Sequence, residues 1–177
     1  MDTIFLGFVV FLFLLAIFDL WVGVSNDAVN FLNSAIGAKA ARFRTIIIIA
    51  AIGVFCGASM SNGMMDIARH GIFRPEQFYF YELMYVFLAV MVTDIVLLDI
   101  FNSLGMPTST TVSMVFELLG ASFALALVKL ASDTTGLTFA ELLNTEKALS
   151  VILGIFLSVA IAFFFGALVQ YISRIIF

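Results

Sequence analysis

Residues 105–114 read GMPTSTTVSM. The stretch sets Pro107 and five hydroxyl side chains, Thr108, Ser109, Thr110, Thr111 and Ser113, into a chain that is otherwise mostly apolar. Proline has no amide hydrogen and disfavours helix for the residue before it. The spacing therefore predicts that one helix ends near Gly105 and a new one begins at Thr108 or Ser109, capped by a hydroxyl. A helix start exposes unbonded amides and a partial positive charge. With the hydroxyls of Ser109, Thr110 and Thr111 added, it makes a cradle for a tetrahedral oxyanion. Beyond the cap, Thr110, Ser113 and Glu117 fall at i, i+3 and i+7 and carry a polar face inward. The competing reading is a kink whose hydroxyls bond only to the preceding turn, as membrane helices often show.

The surroundings decide the solvent. Of 177 residues, 63% are hydrophobic and 11% charged, with a mean hydropathy of +1.19, far from the soluble range. Thr45 to Met65 and Ala148 to Ser173 contain no Asp, Glu, Lys or Arg, and each reaches the roughly 20 residues a span requires. Ile4 to Val24 reads as a first span; it has neither the basic lead nor the small-residue cleavage site of a signal peptide. Phe78 to about Ser103 is a third, opening on the aromatic belt Phe78, Tyr79, Phe80, Tyr81 and Tyr85. Thr110 to Lys129 is helical again, 131–147 is a polar loop with a short helix, and 62–77 is an amphipathic connector. The fold class is all-α: a polytopic membrane protein with discontinuous or re-entrant helices, residues 1–177 forming one transmembrane domain in the cell (cytoplasmic or inner) membrane. Lys39, Arg42 and Arg44 after the first span balance Arg69 and Arg74 after the second, so basic residues leave orientation open.

A net charge of -4 excludes the basic footprint of a nucleic-acid binder. Cys56 is a lone thiol, read as core filler. His70, beside Arg69, reads as a solvated loop residue, since metal sites need several convergent ligands.

The charges within spans or breaks are all acidic: Asp19, Asp27, Asp94, Asp99 and Glu117. A carboxylate at the bilayer centre costs roughly 3 kcal/mol on insertion scales, so it must be protonated, paired or cation-bound. With no base among them, a proton or a metal ion is the natural partner. SNDAVNFLNSAIG, from Ser25 to Gly37, carries the best candidate. Asn26, Asn30 and Asn33 fall at i, i+4 and i+7 on one helix face with Asp27 beside them. A break in the helix here would add carbonyl oxygens to an oxygen-rich site for a hard cation such as sodium. Read otherwise, the asparagines are hydrogen-bonding glue between helices. Asp94 and Asp99, five residues apart, lie on different faces; each is either a proton relay or a solvated helix end, and Asp94 and Glu117 are the candidate relay. Paired aspartates also raise an intramembrane protease, but the Gly-x-Gly-Asp arrangement of such enzymes does not occur; no enzyme activity and no cofactor beyond the coupling sodium ion or proton is expected.

SNDAVNFLNSAIG, followed about eighty residues later by MPTSTTVSMVFELLGAS, resembles the two signature blocks of inorganic phosphate transporters of the PiT type. The intervening GVFCGASMSNGMMDIARHGIF is similar to the family's linking segment. The resemblance implies sodium- or proton-coupled phosphate uptake by alternating access. It implies cation ligands at Asn26, Asp27, Asn30 and Thr110, and phosphate contacts at Ser109, Thr110, Thr111, Asp27 and Asn26. Asn33 stands where the family usually has Gly, Val112 where it has His, and Ala50 where a Glu is expected; these departures bear on coupling and pH response more than on substrate. Such transporters carry two inverted copies of this unit. One copy here implies the first half of a longer protein, a split subunit working with a second chain, or an antiparallel homodimer. The alternatives in other classes are a carrier of another oxyanion such as sulfate, and a membrane assembly subunit that transports nothing.

Overall fold

The computed structural model describes residues 3–61, 72, 74–132, 136 and 138–176. Five long helices dominate it: α1 (Thr3–Gly37), α2 (Phe43–Met60), α3 (Phe80–Leu104), α4 (Thr110–Ala131) and, after the one-turn α5 (Phe139–Leu142), α6 (Thr145–Ile176). All five are long and apolar enough to cross a membrane, and there is no β-strand among the described residues. The protein is an all-helical polytopic membrane protein. Asp66, Arg69 and His70 of the amphipathic connector lie outside the described residues.

The expected break after Val24 does not form. α1 runs unbroken through 35 residues, about 52 Å at 1.5 Å per residue. Two physical reasons account for this. Ser25 to Ala35 contains neither Gly nor Pro, and the asparagines that were to line a break find their partners in another segment, described below. The helix closes where the chain leaves it: Lys39 N–H donates to Ile36 O (3.1 Å) and Ala40 N–H to Ala35 O (3.1 Å), the paired bonds of a Schellman end. Lys39 takes the left-handed position, φ 52°, which glycine usually occupies.

The break at Pro107 does form. α3 ends at Gly105, φ 68° and ψ 28°, whose N–H donates to Asn102 O while that of Met106 donates to Phe101 O (2.9 Å). α4 then starts at Thr110, with Ser109 Oγ accepting from Val112 N–H (3.4 Å). This reversal makes α3 and α4 an antiparallel hairpin. α1 runs parallel to α3: Phe5 meets Phe80 and Phe8 meets Tyr85 at one end, and Asn26 meets Asn102 at the other.

The hairpin core is a strip of side chains three or four residues apart. Val86, Val90, Asp94 and Leu98 of α3 face Val115, Leu118, Ser122 and Ala126 of α4, all buried, and Val151 and Ile155 bring α6 against it. The far end is pinned by Lys129, whose Nζ meets Glu82 Oε2 at 2.9 Å and Gln77 O at 2.7 Å, over the rings of Phe78 and Tyr79. Ile72 O and Arg74 N–H pair with Asn144 N–H and Leu142 O, tying the connector to α5. Thr138 caps α5: its amide and hydroxyl donate to Glu141 Oε2, holding that carboxyl below its ordinary range. Cys56 is not core filler. It lies on the exposed face of α2, because that helix buries only Ile46 and presents nearly its whole circumference outward.

Candidate functional site

The Pro107 turn lies against the polar stripe of α1. Asn26, only 1% exposed, is the hub: its Oδ1 accepts from Thr108 N–H (2.9 Å) and its Nδ2 donates to Asn102 Oδ1 (2.8 Å). Asn102 Nδ2 in turn donates to Val22 O (3.2 Å). One turn along α1, Asn30 Nδ2 donates to Thr108 O (2.6 Å). Both backbone groups of Thr108, which proline and the chain reversal leave without helical partners, are therefore satisfied by two asparagines four residues apart. Buried polar groups demand such pairing, and the i, i+4 spacing supplies it from one face.

Asp27 sits at the other side of the hub. Thr110 Oγ1 donates to its carboxylate, 3.0 Å from Oδ2 and 3.2 Å from Oδ1. Gly23 lies at the same contact: a Cβ there would make ordinary van der Waals contact, 3.8 Å from both Leu98 Cδ1 and Thr110 Cγ2. So the first residue of α4 touches the acid of α1, and the helix start, with its two unbonded amides at Thr110 and Thr111, opens beside it. Thr111 and Ser109 face outward. A cleft of about 470 Å³ lined by Val29, Asn30, Asn33, Ser34 and Pro107 adjoins the turn, within the size range of small-ligand sites. Asn26, Asp27, Asn30, Ser109, Thr110 and Thr111 thus gather around one chain reversal. Ser109's hydroxyl is engaged as a cap and Thr110's is turned to Asp27, while Thr111 at the helix start is exposed.

Asn102 is the residue that sequence reasoning missed. Its signal is faint: IFNSLGM around it echoes FLNSAIG around Asn33, a match too short to use alone.

A second polar group lies deeper in the same seam. Asp94 is 2% exposed, which removes the solvated-helix-end reading for it, whereas Asp99 is exposed. The carboxyls of Asp19 on α1 and Glu117 on α4 come within hydrogen-bonding reach of Asp94, and Ser113 Oγ donates to Glu117 Oε1 (3.0 Å). Asp19 Oδ1, Asp94 Oδ1 and Glu117 Oε2 are buried and without a partner. Among the described residues no three acidic, His or Cys side chains converge closely enough to hold a metal ion.

Comparison with known proteins bears on residues 23–177, which match the model of the phosphate transporter family. A protein of Thermococcus kodakarensis whose name proposes it as a phosphate permease is 30% identical over 102 residues, covering 56% of this chain and 25% of that relative. The chain thus matches about a quarter of the relative's length. No solved structure matches it.

Proposed function

Because the chain belongs to the phosphate transporter family, we propose that it forms part of a carrier that moves inorganic phosphate across the cell membrane, driven by sodium or protons. The single observation that carries this reading is the hydrogen bond between Thr110, at the start of α4, and the Asp27 carboxylate. A phosphate docked on the helix start beside a bare carboxylate meets like charge; a cation held by Asp27, Asn30 and Thr110 removes that repulsion. Sodium favours such oxygen ligands, and the helix start favours the anion. Phosphate takes its hydrogen bonds from the amides of Ser109, Thr110 and Thr111 and from the hydroxyls of Ser109 and Thr111, while the Thr110 hydroxyl stays on Asp27. Asn26, with both polar atoms engaged, positions the turn. Asp94 and Glu117 serve as a relay deeper in the seam.

Alternating access then follows from mutual dependence: sodium makes the anion site habitable, and the filled, neutralised site permits the helices to rearrange. Ser109, Thr111 and Asn33 face out of this unit, so a second repeat completes the site, supplied by the same longer chain, by another chain or by a second copy. The test is uptake of radiolabelled phosphate into proteoliposomes under an inward sodium gradient. Uptake that needs sodium and resists a large excess of sulfate supports the reading. Uptake abolished by sulfate points to a broader oxyanion carrier, and none at all to an assembly subunit.

A further inference from the structure

The three unpartnered acids in the seam have no place in the phosphate site. Asp19, Asp94 and Glu117 come from three separate helices, yet Asp94 lies within hydrogen-bonding reach of each of the other two, and one oxygen of each is buried without a hydrogen-bond donor. Among the described residues of the packed helices, nothing basic faces them. α1 and α3 carry no Lys or Arg, and the single base of α4, Lys129, is bound to Glu82 at the far end of the hairpin. α6, which packs nearby through Val151 and Ile155, has no charged residue between Lys147 and Arg174. The next acid along α1 is Asp27, eight residues on. Among the described residues the hydroxyl that reaches the cluster is Ser113, which donates to Glu117 Oε1 and lies within reach of Asp94, one proton for three acids.

Three like charges at this spacing cannot coexist in a low-dielectric seam, and carboxylates sharing a site respond by holding protons. A metal ion would solve the same problem, but the three side chains are not gathered tightly enough for one. We propose that Asp19, Asp94 and Glu117 form a proton-binding site between α1, α3 and α4, separate from the cation ligands around Asp27. A proton added to one carboxylate makes a carboxylic acid whose O–H donates to a neighbouring carboxylate oxygen, which supplies the missing donor and removes one charge together. Ser113 lies one turn beyond Thr110, so the same helix that ends in the anion site carries the proton site's hydroxyl and its Glu117. This deepens the relay reading of Asp94 and Glu117 and rests on it for any link to transport, but the proton itself is read without transport.

Infrared spectroscopy of the protein in lipid at neutral pH tests it. The expected spectrum contains the carbonyl stretch of a protonated carboxylic acid, shifted in D2O and bleached as pH rises. Asp94→Asn and Glu117→Gln each diminish that band, while Asp99→Asn, at an exposed position, leaves it intact. A wild-type spectrum with no such band at neutral pH overturns the proposal, as does a band untouched by substitution at all three positions. Should Asp94→Asn fail to fold, the wild-type spectrum and Glu117→Gln still decide. A protein that takes up phosphate without the band defeats this site alone; one with the band and no uptake defeats the transport reading alone.

Discussion

Two polar clusters share the seam of α1, α3 and α4, and they solve burial in opposite ways. Around Pro107, Asn26 and Asn30 match the two backbone groups of Thr108, donor to acceptor, and Asn102 closes the chain of amides onto Val22 O of α1. Around Asp94, three acids meet with one hydroxyl between them, and their spare oxygens face no donor. The first cluster is complete as built and so can fix geometry. The second is incomplete as built and so demands something from solution. The difference teaches that polarity in a membrane interior does not by itself mark a site; the balance of donors and acceptors separates a scaffold from a receptor.

Substitutions break or sharpen this contrast. The largest effect is expected at Asp27, the one acid of the satisfied cluster. Asp27→Asn keeps the shape and the Thr110 hydrogen bond but removes the charge a cation needs, and sodium-driven phosphate uptake falls by about 10–100-fold, as for other lost metal-site partners. Asn26→Leu comes next. It strands the half-buried Thr108 amide, toward the lower end of the about 1–3 kcal/mol that an unmet group costs, read as a lowered melting temperature in detergent. In the incomplete cluster the sign reverses. Asp94→Asn brings a donor to a place that lacks one, so melting temperature holds or rises, and the gain grows with pH, because a carboxyl that is protonated in the folded state loses its stabilising contribution as pH rises. Equal destabilisation by Asn26→Leu and Asp94→Asn would erase the contrast.

Smaller effects refine it. Ser109→Ala removes the cap of α4 and costs about 1 kcal/mol while weakening phosphate binding more than stability. Lys39→Gly relieves the left-handed end of α1 and is expected to stabilise by up to about 1 kcal/mol, with no change in uptake; a loss of stability there would contradict the Schellman geometry.

The sequence carried these features unevenly. Gly105, Pro107 and Ser109 announce the chain reversal because each acts through its own backbone: a left-handed φ, a missing amide, a capping hydroxyl. The five spans are legible for a similar reason, since length and apolarity are local properties. The continuous α1 was not legible. Asn26 and Asn30 look like residues of a broken helix until Thr108 is placed beside them, and that contact joins residues 78 and 82 apart in the chain. Asn102 was missed, and Asp19 was noted only as an acid in need of a partner, for the same reason: their roles depend on the parallel register of α1 and α3, which no periodicity within either helix encodes. Cys56 misled because a small apolar residue on a membrane helix suits lipid as well as core.

The central claim is that a cation at Asp27 makes the start of α4 habitable for phosphate. Titrating radiolabelled phosphate binding against sodium concentration, in wild type and in Asp27→Asn, tests it most directly, because coupled sites must change each other's affinity by the same factor. The account predicts that phosphate affinity rises with sodium in the wild type and is indifferent to sodium in Asp27→Asn. The same rise with sodium in both proteins would contradict it.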